Sequence, residues 1–165
     1  MSLKDNSPNI IMAKIKDDNY FMNIANSKAQ KALARGDYPA GCVVVKDGKI
    51  VAKASSMSIT KTDATAHAEL TAISKACRKL KTRFLNGGIV YTNIEPCLMC
   101  AKAMVYSKIK KVVYGTEHGE YGNKKTFDVL KQNGLAKDIE VVSGCRKEKA
   151  SEMLKQFLAK YSEKK

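Results

Sequence analysis

Two short segments, thirty residues apart, constrain what this chain can fold into more than any other feature: His67-Ala68-Glu69 and Pro96-Cys97-Leu98-Met99-Cys100. Together they offer an imidazole, two thiols and a carboxylate, which are the donor types of a zinc site. A fold that uses both halves must carry the chain out through a helix, a turn and a strand and return it beside its starting point. A structural zinc site closes its tetrahedron with four protein ligands, whereas a catalytic one uses three and leaves a position open. Here the ligand set stops at three, because Cys42, Cys77 and Cys145 stand alone and the only other histidine is His118. Taken singly, a CxxC is also a redox pair, and a His near a Glu is also an ordinary surface or core pair. Taken together, the segments point to His67, Cys97 and Cys100 as the ligands of one Zn2+ per chain, with Glu69 left free to move protons.

The flanking sequence places these residues at helix starts. From Thr65 to Leu80, Ala68, Leu70, Ala72, Ile73 and Ala76 recur with helical period, and Asn86-Gly87-Gly88 ends the segment. His67 and Glu69 are thus expected in a first helical turn. Ile89-Val90-Tyr91-Thr92 reads as a strand, and Cys97 to Ser107 as an apolar helix entered through Pro96, with Cys97 and Cys100 on one face. Both helix N-termini would turn unpaired N–H groups toward the metal and favour thiolates.

The remaining pattern alternates strands and helices. Tyr20 to Arg35 is a helix stopped by Gly36, and Gly41–Val45 and Ile50–Ala52 flank the hairpin turn Asp47-Gly48. Lys111–Gly115 is a strand, Thr126–Gln132 a helix, Ile139–Val142 a strand, and Arg146–Lys160 a final helix. This predicts an α/β fold, a three-layer α/β/α sandwich around a five-stranded mixed sheet.

Length and composition fit one domain over 1–165, with residues 1–18 as a loosely ordered extension, since 165 residues with 44% hydrophobic content suffice for a single core. Ile10-Ile11-Met12-Ala13 is too short for a secretory or membrane segment, so a cytoplasmic protein without a membrane partner is expected. Five cysteines, an odd number with two in the zinc motif, argue against a disulfide framework. Thirty Lys and Arg against sixteen Asp and Glu leave a net charge of +14, which attracts phosphate. The lysines are scattered, however, and the basic run from Arg146 to Lys165 reads first as a solvated helix face and second as an RNA contact.

The two motifs resemble those of the cytidine-deaminase-like superfamily of zinc nucleobase deaminases, over Asn19 to Tyr161. The resemblance implies the same sandwich, a homodimer, and a reaction in which zinc-activated water attacks the ring carbon bearing an exocyclic amine while the glutamate, here Glu69, carries the proton to departing ammonia. Asp63 to Cys77 is similar to bacterial guanine deaminase, Gly41-Cys42 and Leu154–Phe157 to fungal cytosine deaminase, and Tyr38–Gly41 and Ser107–Gly115 to bacterial tRNA adenosine deaminases. Those groups carry a base-binding asparagine eleven residues before the zinc histidine, where this chain has Ser56. Candidate substrate contacts are Ser56, Ala68, Glu95 and His118. Glu95 reads as structural before catalytic, and His118 belongs, with Glu117, Glu120 and Tyr121, to the stretch Gly115 to Lys125, which follows a strand end beside the metal. The favoured substrate is a small base or nucleoside of guanine or cytosine type. The alternative is the wobble adenosine of tRNA, although Glu117 to Asp128 lacks the segment usual in those enzymes. A third reading is a catalytically silent zinc-folded partner subunit.

Overall fold

The computed structural model describes residues 16–118 and 125–162. Helix α1, Asp18–Arg35, is capped by the Asp17 carboxylate, which accepts the Tyr20 N–H at 2.9 Å, and is ended by Gly36 in the left-handed region at φ 86°. Strands β1, Gly41–Lys46, and β2, Lys49–Ser55, form a hairpin. Its turn residues, Asp47 and Gly48, both take positive φ, as a tight two-residue connection requires. Then follow α2, Ala68–Leu80; β3, Ile89–Ile94; α3, Leu98–Tyr106; β4, Lys111–Thr116; α4, Thr126–Gln132; β5, Glu140–Val142; and α5, Lys147–Ser162.

The sheet order is β2-β1-β3-β4-β5. Strand β1 runs antiparallel to both neighbours, and β3, β4 and β5 run parallel. Successive residues of the inner strands are buried on opposite faces. Val43, Val45, Tyr91 and Val113 pack against Phe21, Met22 and Ala25 of α1, while Cys42, Val44, Val90 and Val112 share the core on the other side with α2, α3 and α4. Met153 of α5 packs on Ala29 and Leu33 of α1, so α5 joins the first face. A sheet covered on both sides has apolar runs in place of alternation, which is why Gly41–Val45 is almost wholly hydrophobic. At Gly41 any side chain would run into the backbone of Ala25 and Ala29, so glycine lets α1 lie directly on β1.

The predicted sandwich and mixed sheet are present, with shifted boundaries. Strand β2 reaches from Lys49 to Ser55, beyond Ile50–Ala52, because on an edge strand exposed Lys53 alternates with buried Ala52 and Ala54. Strand β5 omits Ile139, whose side chain lies in the core under α3 and α4. Helix α5 begins at Lys147, since Arg146 has φ 53° and cannot continue a helix backwards. Of the expected extension 1–18, residues 1–15 lie outside the described residues, and α1 already starts at Asp18. Among the described residues no helix is long and apolar enough to cross a membrane.

Candidate active site

Helices α2 and α3 begin side by side, and the site lies where they begin. His67 is the N-cap of α2 and Cys97 the N-cap of α3, each in extended backbone and with no side-chain cap hydrogen bond. His67 therefore stands just before the first turn, not within it, because the tight hydrogen-bonded turn through Thr65 to His67 delays the helix. With neither N-cap side chain spent on capping, both are free to act as ligands. Cys100 follows in the first turn of α3 and is fully buried.

The ligand atoms of His67, Cys97 and Cys100 lie within 4.8 Å of one another. Zinc at about 2.3 Å from sulfur and about 2.0–2.1 Å from nitrogen, in tetrahedral geometry, requires sulfur and nitrogen to stand about 3.6 Å apart. Nδ1 of His67 is 3.7 Å from Sγ of Cys97 and 3.5 Å from Sγ of Cys100, so the three donors fit the ion. The chemistry of the thiols agrees. A hydrogen bond from Cys100 holds the Cys97 thiol down to about 4 despite desolvation, with further help from His67. Cys100 is pushed up, first as the donor in that hydrogen bond and then by burial. The pair thus gives up one proton readily, and zinc supplies the positive charge that would displace the second.

Glu69 is buried at 4% exposure on the first turn of α2. Its Oε1 accepts from the Thr92 hydroxyl at 3.2 Å, and its Oε2 accepts from Cys100 Sγ at 3.6 Å. Burial raises its pKa, against the pull of its own backbone N–H and of His67. A carboxylate fixed this way faces the ligand set without belonging to it.

A cavity of about 300 Å³ opens in front of these residues, at the lower end of the range for small-molecule sites. His67, Glu69, Glu95 and Cys97 form its metal side. Tyr38 and Ala40 before and at the start of β1, Ser56, Ser58 and Ile59 after β2, and Phe157 and Tyr161 of α5 form its other walls. Phe157 meets Tyr38 edge-on at 5.4 Å and stacks on Tyr161 at 5.6 Å.

The structure brings Ser56, Glu95 and His118 to this cavity. Ala68 is fully buried in the core instead and does not line it. Glu95 works as a tether: Oε1 accepts the Thr126 N–H at 2.6 Å and Oε2 the His118 N–H at 3.2 Å. His118 presents its ring beside Tyr38, with centroids 6.3 Å apart and Nδ1 buried without a hydrogen-bond partner among the described residues. Glu120 and Tyr121, of the same stretch, lie outside the described residues. Tyr38, Phe157 and Tyr161 were not among the candidate residues, although Tyr38 and Phe157 sit in segments that carry the family resemblance. All five cysteines are free.

Three protein donors for zinc, a separate buried carboxylate and an adjoining pocket, on an α/β/α sandwich, define a hydrolytic zinc enzyme. The cytidine and deoxycytidylate deaminase zinc-binding region matches residues 15–116, and the chain belongs to that family of zinc deaminases. A tRNA-specific adenosine deaminase of Aquifex aeolicus is 37% identical over 142 residues, which cover 86% of this chain and 93% of that protein. A structure from work on A-to-I editing by tRNA:A34 deaminases at the wobble position of transfer RNA superposes with a TM-score of 0.76 at 32% identity, over 82% of this chain and 99% of the other. The guanine deaminase of Bacillus subtilis superposes with a TM-score of 0.61 at 38% identity, over 68% of this chain and 74% of its own. In a deaminase family, a complete ligand set with the buried Glu69 beside it speaks against the reading of a catalytically silent partner.

Proposed function

We propose that this protein hydrolyses adenosine at the wobble position of transfer RNA to inosine and ammonia. The observation that carries this reading is the end-to-end likeness to a tRNA-specific adenosine deaminase, which spans 86% of this chain and 93% of the relative. The pocket is compatible with it. A single base extruded from a strand needs stacking surfaces around its entrance, and Tyr38, Phe157 and Tyr161 supply aromatic faces there. A net charge of +14 favours an anionic substrate, and a cytoplasmic location suits it.

In this reading His67, Cys97 and Cys100 would hold the zinc, which would supply an activated water. Glu69 is the group that would move protons between water and the departing amine at C6, a hydrolysis in which one C–O bond forms and one C–N bond breaks. Cys100 Sγ lies 3.6 Å from Glu69 Oε2, which keeps that oxygen turned toward the ligand set. Thr92 keeps the carboxylate from turning away. We further propose a homodimer across α3, whose Leu98, Met99 and Tyr106 are exposed on one chain despite the helix's apolar composition.

A second reading, deamination of a free base of guanine or cytosine type, is favoured by the position of α5, whose Phe157 and Tyr161 cover part of the pocket, and by Ser56 in place of asparagine. The deciding experiment measures inosine in an anticodon stem-loop with adenosine at the wobble position, beside ammonia release from free guanine, cytosine and adenine. The RNA reading expects turnover of the stem-loop that falls steeply with salt and nearly inert free bases. Salt-insensitive turnover of a free base, with none on the stem-loop, would replace it with the second reading.

A further inference from the structure

We propose that Asp37, with Arg35, is a positioning residue that holds the substrate-facing wall Ser56–Thr60 in place and so governs how tightly the substrate is bound. The inference rests on the reading of that wall as substrate-facing and holds for RNA or a free base alike.

Gly36 ends α1 in the left-handed region, and the Asp37 N–H returns to the Ala32 carbonyl at 2.9 Å. The chain reverses there and sends the Asp37 side chain to complete burial, at 0% exposure. Its Oδ1 accepts two consecutive backbone N–H groups across the cavity's edge, from Ile59 at 3.0 Å and Thr60 at 2.9 Å. Its Oδ2 accepts the Thr60 hydroxyl at 2.6 Å and Nε of Arg35 at 3.3 Å. Arg35 also donates through Nη2 to the Ser56 carbonyl at 2.8 Å. Ser56 in turn gives its own N–H to the Ala40 carbonyl at 2.9 Å. Burial opposes the charge on Asp37, but the hydrogen bonds from Thr60, Arg35 and Ile59 outweigh it and hold the carboxyl below its ordinary value.

None of these contacts touches the metal ligands. They act on Ser56 and Ile59, which line the cavity opposite Glu69 and Cys97. A fully buried carboxylate with four donors is a stiff joint, because its two oxygens hold two consecutive backbone N–H groups, a hydroxyl and a guanidinium in one mutual arrangement. It joins two parts of the chain that nothing in their local sequence connects, the C-terminus of α1 and the loop after β2. The wall residues are therefore placed by a group that does not contact the substrate.

The test compares wild type with Asp37→Ala, Asp37→Asn and Arg35→Gln, each zinc-loaded, on the substrate the wild type turns over. Hydrogen exchange of the peptide carrying Ile59 and Thr60 reads the clasp itself, whatever the substrate. Asp37→Ala is expected to deprotect that peptide, to leave the peptides of α2 and α3 and the zinc content unchanged, and to raise KM about tenfold or more with kcat held within about threefold. Asp37→Asn, which keeps the oxygen for both backbone N–H groups, is expected to fall between. Should Asp37→Ala fail to fold, Arg35→Gln removes only the outer half of the clasp and is expected to raise KM about threefold. Deprotection without a change in KM overturns the proposal, as does loss of zinc and kcat with KM unchanged. Inert RNA beside an active free base refutes the RNA reading alone, and the same KM measurement is then made on the base.

Discussion

On the metal side of the pocket, all three zinc donors and the proton carrier come from two segments, each written within a few residues around a helix start. On the facing side, Tyr38, Ser56, Ile59, Phe157 and Tyr161 come from the segment before β1, the loop after β2 and the far end of α5. On the first side every donor sits within a few residues of a helix start, so packing α2 beside α3 is enough to bring the three together, and Thr92 of β3 steadies Glu69. The second is positioned by long-range bonds, among them the Asp37 clasp and Asn93, whose side chain accepts from the Gly41 N–H and donates to the Pro39 carbonyl, both at 2.8 Å. The metal side thus follows from local sequence around two helix starts and the facing wall from long-range contacts, and the two should separate under mutation.

The largest expected effect is on the metal side. Cys97→Ala removes one of three donors, so metal analysis should fall from one zinc per chain to almost none, with deamination lost. If zinc and activity both survive, the metal lies elsewhere. Glu69→Gln keeps the shape and the Thr92 contact but cannot carry a proton. Its kcat should drop by about 10²–10⁴-fold with zinc content unchanged, and wild-type turnover in that variant would separate the carboxylate from catalysis.

Across the pocket, the scaffold of the wall comes next. Asn93→Ala strands the Gly41 N–H and the Pro39 carbonyl in a buried place. It should cost about 2–4 kcal/mol of stability in urea unfolding, from two lost buried hydrogen bonds. A loss below about 0.5 kcal/mol would mean that the wall does not depend on this amide. The smallest effect is expected at Ser56→Asn, where an amide replaces a single hydroxyl. The ratio of kcat/KM between competing substrates should shift by about 1–3 kcal/mol while zinc binding and unfolding stay as they were. Equal scaling of all substrates would break the separation between the two sides of the pocket.

This division also marks what the sequence makes legible. The zinc donors, Glu69 and nearly every strand and helix could be read directly, because helical period, apolar runs and the Asp47-Gly48 turn are local signals. The start of α2 was misplaced by the turn through Thr65 to His67, which depends on hydrogen bonds and not on apolar spacing. Phe157 and Tyr161 have the helical spacing of an ordinary amphipathic helix, and nothing local says that this face meets Tyr38 over the pocket. Ala68 was drawn into the candidate set by its place between His67 and Glu69, but successive residues of a helix point in different directions, and Ala68 points to the core. Asp37 carries no motif at all; only its four donors reveal it.

Glu95 has a consequence for how such a protein can change over time. One carboxylate grips the backbone at His118, just after β4, and at Thr126, the first residue of α4, so the end of a strand and the start of a helix share a single anchor. Both contacts are made to backbone N–H groups, which every residue except proline supplies, so the side chains at 118 and 126 can be exchanged without releasing the anchor, whereas Glu95 itself cannot.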